Sequence, residues 1–311
     1  MVDRQEHRQS RVPISTIDGI ARLLAVSPGD ISHIVSRLGS HYRPRRRLKK
    51  DGSVRILNVP NEELMLLQRK INTHILRGVS LPSCVYGGVK NKSILDCAQP
   101  HVNQEVVHAM DISDFFGTVN PRMVREVFER VHFRQDAAAL LTRLTTFDSQ
   151  LPQGAPTSTP LANLVLLKLD RRLMRLAEIH DFKYTRWVDD LSFSGGHRLL
   201  KLRSLLKRVV EDEGFAVSEA KTKTMFRHER QEVLNLTVNR KVNVGGEKTS
   251  AIKKELTESL AAGGSPSNSV MGRAYWLRSV NSAVGTRLLG KVKKAGLKDS
   301  LEVGNGSPIV Y

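Results

Sequence analysis

Two adjacent aspartates, Asp189 and Asp190, lie between apolar, strand-like runs in "YTRWVDDLSFSGG" (184–196), and a third, Asp111, closes the apolar run "EVVHAMD" (105–111). If these two segments are neighbouring strands, three carboxylates converge. Crowded carboxylates resist joint ionisation unless a cation neutralises them. Hard oxygen ligands, few in number, suit Mg²⁺, which keeps positions open for waters and substrate phosphates. Two such ions can activate an attacking hydroxyl and stabilise the leaving oxygen of phosphoryl transfer. Taken alone, an Asp-Asp turn is ordinarily a solvated bend. What surrounds it has to argue for chemistry.

The bulk composition points the same way. Lys and Arg number 49 against 31 Asp and Glu, a formal net charge of +18. An excess of this size along a folded chain is the electrostatic footprint of a polyanion, and nucleic acid is favoured over a membrane surface because no basic amphipathic helix or lipidation signal stands out. The 40% hydrophobic content supports a sizeable core. No apolar run approaches the roughly 18–20 residues of a membrane span. The start, "MVDRQEHRQSRVP", lacks the apolar stretch of a secretory signal. Cys84 and Cys97 form neither a metal-ligand cluster nor a disulfide framework. A cytoplasmic protein is expected. "GGVKNKS" (87–93) lacks P-loop spacing, and no H-E-x-x-H or Gly-x-Ser-x-Gly occurs.

The elements that must position the carboxylates follow from pattern. Two short helices are expected over 14–38, the second capped by Ser27 with Pro28 at its first position. "YRPRRRLKKDGSVRILNVP" reads as a basic hairpin turning at Asp51-Gly52, followed by a helix from about Glu62 to Leu76. The strand ending at Asp111 gives way to a helix capped by Asn120 with Pro121 first, then to a helix over about 135–146. The loop "DSQLPQGAPTSTP" precedes one long helix, about Leu161 to Ile179. The Asp-Asp hairpin, a basic helix (about 199–213) and short strands complete an α+β body. Beyond about Lys248 two helices are expected, "TSAIKKELTESLAA" and "SVMGRAYWLRSVNSAVGTRLLGKVKKAG".

"DISDFF" (111–116), "LPQGAPTSTPLANL" (151–164), "YTRWVDDLSFS" (184–194) and "AKT" (220–222) occur in the order and at spacing similar to the palm motifs of reverse transcriptases. The resemblance is strongest to bacterial retron-type enzymes, with group II intron relatives behind them, and runs from about residue 42 to about 240. It implies a right-hand polymerase: a helical N-terminal cap (1–40), fingers (41–105), an antiparallel palm sheet packed on helices (106–242) and a helical thumb (243–311). It implies that Asp111 and Asp189 bridge two Mg²⁺ ions with Asp190 beside them. Phe116 falls where the family places an aromatic gate against the ribose 2′-hydroxyl, although the same residue also reads as a core Phe. Gln153 and Gly154 match the loop at the nascent base pair, and Lys221 matches the lysine near the triphosphate. Arg55 and Lys49 would clamp the triphosphate, while Arg45, Arg46 and Arg47 would hold template backbone. Lys253, Lys254, Arg273 and Arg278 would track the template–primer duplex, with Trp276 as a core anchor.

The implied activity is RNA-templated DNA synthesis from dNTPs. The implied partners are a cognate structured non-coding RNA as template and primer, the RNA-linked DNA product, and an effector protein in antiphage defence, with no membrane. Trp187-Val188 replaces the usual Tyr-Ala before the aspartates. Cys97-Ala98-Gln99-Pro100-His101 keeps only the Ala and His of Asn-Ala-x-x-His, and Val233-Leu234-Asn235 replaces Val-Thr-Gly. These departures remove no carboxylate but loosen the assignment to retrons. Three rivals stay open: an RNA-dependent RNA polymerase, a template-independent polymerase of the abortive-infection type, and a catalytically silent RNA-binding scaffold.

Overall fold

A computed structural model describes residues 14–48, 52, 54–261 and 266–294. Two helices open it, α1 (Ile17–Leu24) and α2 (Pro28–Ser36), and the Ser27 hydroxyl accepts from the Asp30 N–H at 3.0 Å as the sequence suggests. The basic segment forms an antiparallel hairpin, β1 (Tyr42–Leu48) with β2 (Val54–Pro60). Gly52 has φ 81° in the turn, and Asp51 lies outside the described residues. Helix α3 (Glu62–His74) starts on the Asn61 side chain, and α4 (Ile94–Ala98) starts on a reciprocal Ser93/Asp96 capping box.

Next come β3 (Val106–Asp111), the short α5 (Phe115–Thr118), α6 (Pro121–Arg130) and α7 (Gln135–Thr145). The expected long helix over 161–179 is two helices, α8 (Ser158–Val165) and α9 (Leu167–His180), joined at Leu166 with ψ 2°. Helix α8 begins earlier than its proline suggested, because Pro160 sits in the first turn, where the missing N–H is no loss. Strands β4 (Phe182–Trp187) and β5 (Asp190–Gly195), helix α10 (Leu199–Asp212) and β6 (Lys223–Phe226) follow. A small three-stranded sheet holds β7 (Glu232–Val233), β8 (Leu236–Thr237) and β9 (Asn243–Val244).

The central sheet has four strands in the order β4-β5-β3-β6, each pair antiparallel. Its two middle strands are buried on both faces; β3 reads as a mostly apolar run, whereas β5 alternates Leu191, Ser192, Phe193, Ser194. The pleat still assigns each residue a face. Val106, Met110, Leu191 and Phe193 join the larger core cluster with α6 to α10. Val107, one residue out of phase, joins a second cluster with Ala98, β7 to β9 and the C-terminal helices. Asp111 shares the parity of Val107 and therefore belongs to this second face.

The C-terminal segment contains α11 (Gly246–Ala261), α12 (Asn268–Val280) and α13 (Ser282–Lys294). The second and third were expected as one helix. They part at Asn281 (φ −135°, ψ 88°), whose side chain accepts from the Val284 N–H at 3.2 Å and restarts the chain as a cap. The two helices then fold back together at Gly285, where an added Cβ would lie 2.2 Å from the Arg278 Cα. Helix propensity alone would make Gly285→Ala stabilising by about 1 kcal/mol. The close backbone approach reverses that sign: Gly285→Ala is expected to lower the urea midpoint, measured by circular dichroism.

Candidate active site

The register of the sheet builds the site. Asp111, the last residue of β3, stands directly opposite Asp190, the first residue of β5. Only Asp189 lies in the hairpin turn, with Val188, because Asp190 already pairs across to Trp187. The Ile112 N–H donates to the Asp189 carbonyl at 3.0 Å, which ties the turn to the strand carrying Asp111. Val188 adopts φ 57°. A β-branched residue in this left-handed region is strained by about 1–3 kcal/mol and persists only where the surroundings hold it.

The three carboxylates perturb one another. Burial, then the charges of Asp189 and Asp111, pushes the Asp190 carboxyl up to about 7. Burial and Asp111 raise Asp189 as well. Lys221, the last residue of the short turn in "SEAK" (218–221), donates to both carboxylate oxygens of Asp111 at 2.8 and 2.9 Å. That hydrogen bond raises the lysine in turn. Among the described residues no set of three or more His, Cys, Asp or Glu side chains is placed to hold a metal ion as it stands, with Asp111 turned to the Lys221 ammonium. An open carboxylate set fits Mg²⁺ better than a cage, since Mg²⁺ takes one or two carboxylates together with waters and phosphates. The ammonium on Asp111 already occupies a cation's place there.

Two further segments reach this end of the sheet. The Phe116 carbonyl accepts from the Leu151 N–H at 3.2 Å, joining "DISDFF" to the "LPQG" loop. The Phe116 ring is half-buried, its centroid 5.6 Å from that of Phe115, so it is both a core contact and partly open. Gly154 has φ 119°, and an added Cβ would meet Val59 of β2 at 3.2 Å. The loop with Gln153 thus packs against the basic hairpin. Val59 shares a face of that hairpin with Arg43, Arg45, Arg47, Arg55 and Leu57, and the positive charge of Arg55 reaches Asp189 and lowers it. Arg46 falls on the opposite face, beside Leu48, Val54 and Ile56, which are 74%, 52% and 60% exposed. The pleat therefore separates Arg46 from Arg45 and Arg47, which the sequence grouped together. Lys49 lies outside the described residues.

The basic residues of the C-terminal helices are unequal. Lys253 and Lys254 are exposed on α11, the latter 3.8 Å from Glu258. Arg273 is ion-paired with Glu255, and Arg278 lies over the Tyr275 ring at 4.9 Å. Trp276 packs against the second core cluster with the Lys248 ammonium 4.5 Å above its ring.

Beneath the turn, on the helix side, sits a charged group that the sequence reading passed over. Arg186 and Asp170 are both 0% exposed and joined by two hydrogen bonds, 2.8 and 2.7 Å. An arginine within a strand otherwise buried was the available signal. On the other face His101 bridges Ser194 and Thr185, each at 2.7 Å, and burial holds its imidazole down at about 3, so it is neutral. The His retained from Asn-Ala-x-x-His therefore pins β4 to β5.

The raised Asp190 carries a pH signature. A carboxyl whose folded value (about 7) exceeds its ordinary 3.8 binds more protons folded than unfolded across that window, so the metal-free protein loses stability as pH rises through it. Asp190→Asn removes the charge and is expected to raise the melting temperature in EDTA. The gain should grow from about pH 4 to about pH 7 and then level off, as read by thermal melts across pH.

The family model described as reverse transcriptase (RNA-dependent DNA polymerase) matches residues 48–253. The retron Mx65 reverse transcriptase of Myxococcus xanthus is 34% identical over 270 residues, covering 78% of this chain and 62% of that one. The retron Ec86 enzyme of Escherichia coli is 30% identical over 244 residues, 78% of this chain and 76% of its own. The retron Mx162 enzyme of Myxococcus xanthus is 30% identical, and the match spans 56% of its length. A solved telomerase from Candida albicans, in complex with a fragment of telomeric RNA, aligns at a TM-score of 0.49 and 10% identity over 84% of this chain and 57% of that one. No described helix is long and apolar enough to cross a membrane. With that match over most of its length and retron enzymes as its curated relatives, the chain belongs to the reverse transcriptase (RNA-dependent DNA polymerase) family.

Proposed function

We propose that this chain is an RNA-directed DNA polymerase of the retron type, copying a cognate structured non-coding RNA from dNTPs with two Mg²⁺ ions. The observation that carries this reading is the register pair Asp111–Asp190 with Asp189 in the adjoining turn, where the charge of Arg55 also reaches. The ions, when bound, supply activation of the primer hydroxyl and charge stabilisation at the leaving oxygen. Asp111, Asp189 and Asp190 hold them. Arg55, with Arg45 and Arg47 on the same hairpin face, binds triphosphate or template phosphates. The Phe116 ring stands against the sugar, and Gln153 and Gly154 border the base pair. Lys221 leaves Asp111 for the departing pyrophosphate, whose negative charge its ammonium offsets.

The retron names of the relatives support a product DNA joined to its RNA, and an effector protein in antiphage defence belongs to the same reading. Lys253, Lys254, Arg273 and Arg278 are assigned to the duplex, with Arg273 and Arg278 first having to leave Glu255 and Tyr275.

The test is primer extension on an RNA template with Asp189→Asn and Asp190→Asn variants. Each is expected to lose about a hundredfold to a thousandfold in rate while melting as a folded protein. Wild-type activity that persists without template RNA would instead support the untemplated polymerase, and unchanged variants would support the RNA-binding scaffold. Phe116→Ala is expected to lower the preference for dNTPs over NTPs by about tenfold or more, read from single-nucleotide incorporation. An unchanged preference would return Phe116 to the core.

A further inference from the structure

The strained turn that carries Asp189 rests on a buried arginine. Arg186 is the penultimate residue of β4, and the pleat points it to the helix side of the sheet, opposite the carboxylates. All three nitrogens of its guanidinium donate. Nε and Nη2 donate to the two oxygens of Asp170 on α9, at 2.8 and 2.7 Å, while Nη1 donates to the Asn163 side-chain oxygen on α8 at 2.9 Å. The same Nη1 donates to the backbone carbonyl of Val188 at 2.9 Å. That carbonyl belongs to the residue held at φ 57°, immediately before Asp189.

The supports of the arginine are themselves held. Tyr184 donates its hydroxyl to Asp170 at 2.9 Å, and Asn163 donates to the Gly87 carbonyl at 2.9 Å. Gly87 lies against the turn so closely that an added Cβ would fall 2.5 Å from the Val188 nitrogen. The Arg186 backbone bonds on both sides, its N–H to the Cys84 carbonyl at 2.8 Å and its carbonyl to the Tyr86 N–H at 2.9 Å. Two consecutive turn carbonyls are therefore pinned from different directions, that of Val188 by Arg186 and that of Asp189 by the Ile112 N–H.

We propose that Arg186 is a positioning residue for the reaction: its fork, fixed by Asp170 and Asn163, holds Val188 in the left-handed conformation and thereby aims the Asp189 and Asp190 carboxylates together at their cations. Asp170 neutralises the arginine in place, so the effect on the carboxylates is geometric. A lysine cannot reproduce it, because a single ammonium lacks the planar fork that reaches carboxylate, amide and carbonyl together. The proposal rests on the polymerase reading for its kinetic consequence, but not for its effect on cation binding.

The experiment is a double-mutant cycle between Arg186→Lys and Val188→Gly, since glycine takes a positive φ without steric cost. The full chain without nucleic acid is titrated with Mn²⁺ as the probe, by water-proton relaxation, and the four proteins are then compared in primer extension and in thermal unfolding. Arg186→Lys in the wild-type background is expected to weaken Mn²⁺ binding and lower kcat by about tenfold to a hundredfold, with KM for dNTP within a factor of about two. In the Val188→Gly background the same substitution is expected to cost only about threefold.

Equal losses in both backgrounds would overturn the proposal. So would a lowered melting temperature with Mn²⁺ affinity and kcat unchanged per folded molecule, which is the signature of a merely structural ion pair. If Arg186→Lys does not fold, Arg186→Met combined with Asp170→Leu removes both buried charges together, a replacement that folds commonly tolerate, and runs through the same cycle. A cycle that appears in Mn²⁺ affinity in a chain that makes no DNA on RNA overturns the polymerase reading alone.

Discussion

The alignment of β3 against β5 is the constraint on which the rest depends. Asp111 opposes Asp190 because six consecutive residues pair from Val106–Gly195 to that end. A slip of one residue would turn every side chain of a strand to the other face. A slip of β3 would turn Asp111 toward Leu191 and Phe193 and take Val106 and Met110 out of that core. Hydrophobic burial thus enforces a placement that electrostatics opposes, since bringing three carboxylates together is repulsive until a cation arrives. The raised values of Asp189 and Asp190 and the ammonium resting on Asp111 are both consequences of that compromise.

The two faces of the sheet divide the labour. Between Val107 and Trp187, the face bearing Asp111 and Asp190 is lined by Ala109, Ser192, Ser194 and Thr185, small side chains of which His101 joins Ser194 to Thr185. The opposite face carries aromatic bulk, with Tyr184 stacked on Phe193 at 5.1 Å, and the Arg186–Asp170 pair. Chemistry occupies the thin side and rigidity comes from the thick one. The basic hairpin is also two-sided, with Arg43, Arg45, Arg47 and Arg55 on the face that meets Gly154 and Arg46 among exposed aliphatic side chains on the other.

Much of this was legible in the sequence. The α+β class, the hairpin, the caps at Ser27 and Asn120 and the apolar strands rest on local rules of period and capping, and local rules survive folding. The convergence of Asp111 with Asp190 needed only the assumption that two buried strands are neighbours. Three features were not legible. The breaks at Leu166 and Asn281 carry no proline or helix-ending glycine, and the Asn281 cap is a weak signal inside a helical pattern. The separation of Arg46 from Arg45 and Arg47 requires the pleat to be applied inside a run of like charges. The buried Arg186 hides because an arginine ordinarily signals a surface, and its partners Asn163 and Asp170 lie on helices well before it in the chain.

The second hydrophobic cluster has a consequence for how this architecture can vary. Its members include Ala98 and Val107, from the segment before β3 and from β3 itself, alongside Ile252, Leu256, Met271, Leu277 and Leu289 of the C-terminal helices. The C-terminal helices therefore do not own their core; they complete one that includes Val107, next to His108 and four residues from Asp111 on the same strand. Exchange of this helical unit between relatives is not a modular operation. A transplanted set of helices must be complementary in shape to Val107 and to the β7–β9 sheet, so the part that is free to diverge is its outer surface, and its inner surface must evolve in step with the strand that carries Asp111.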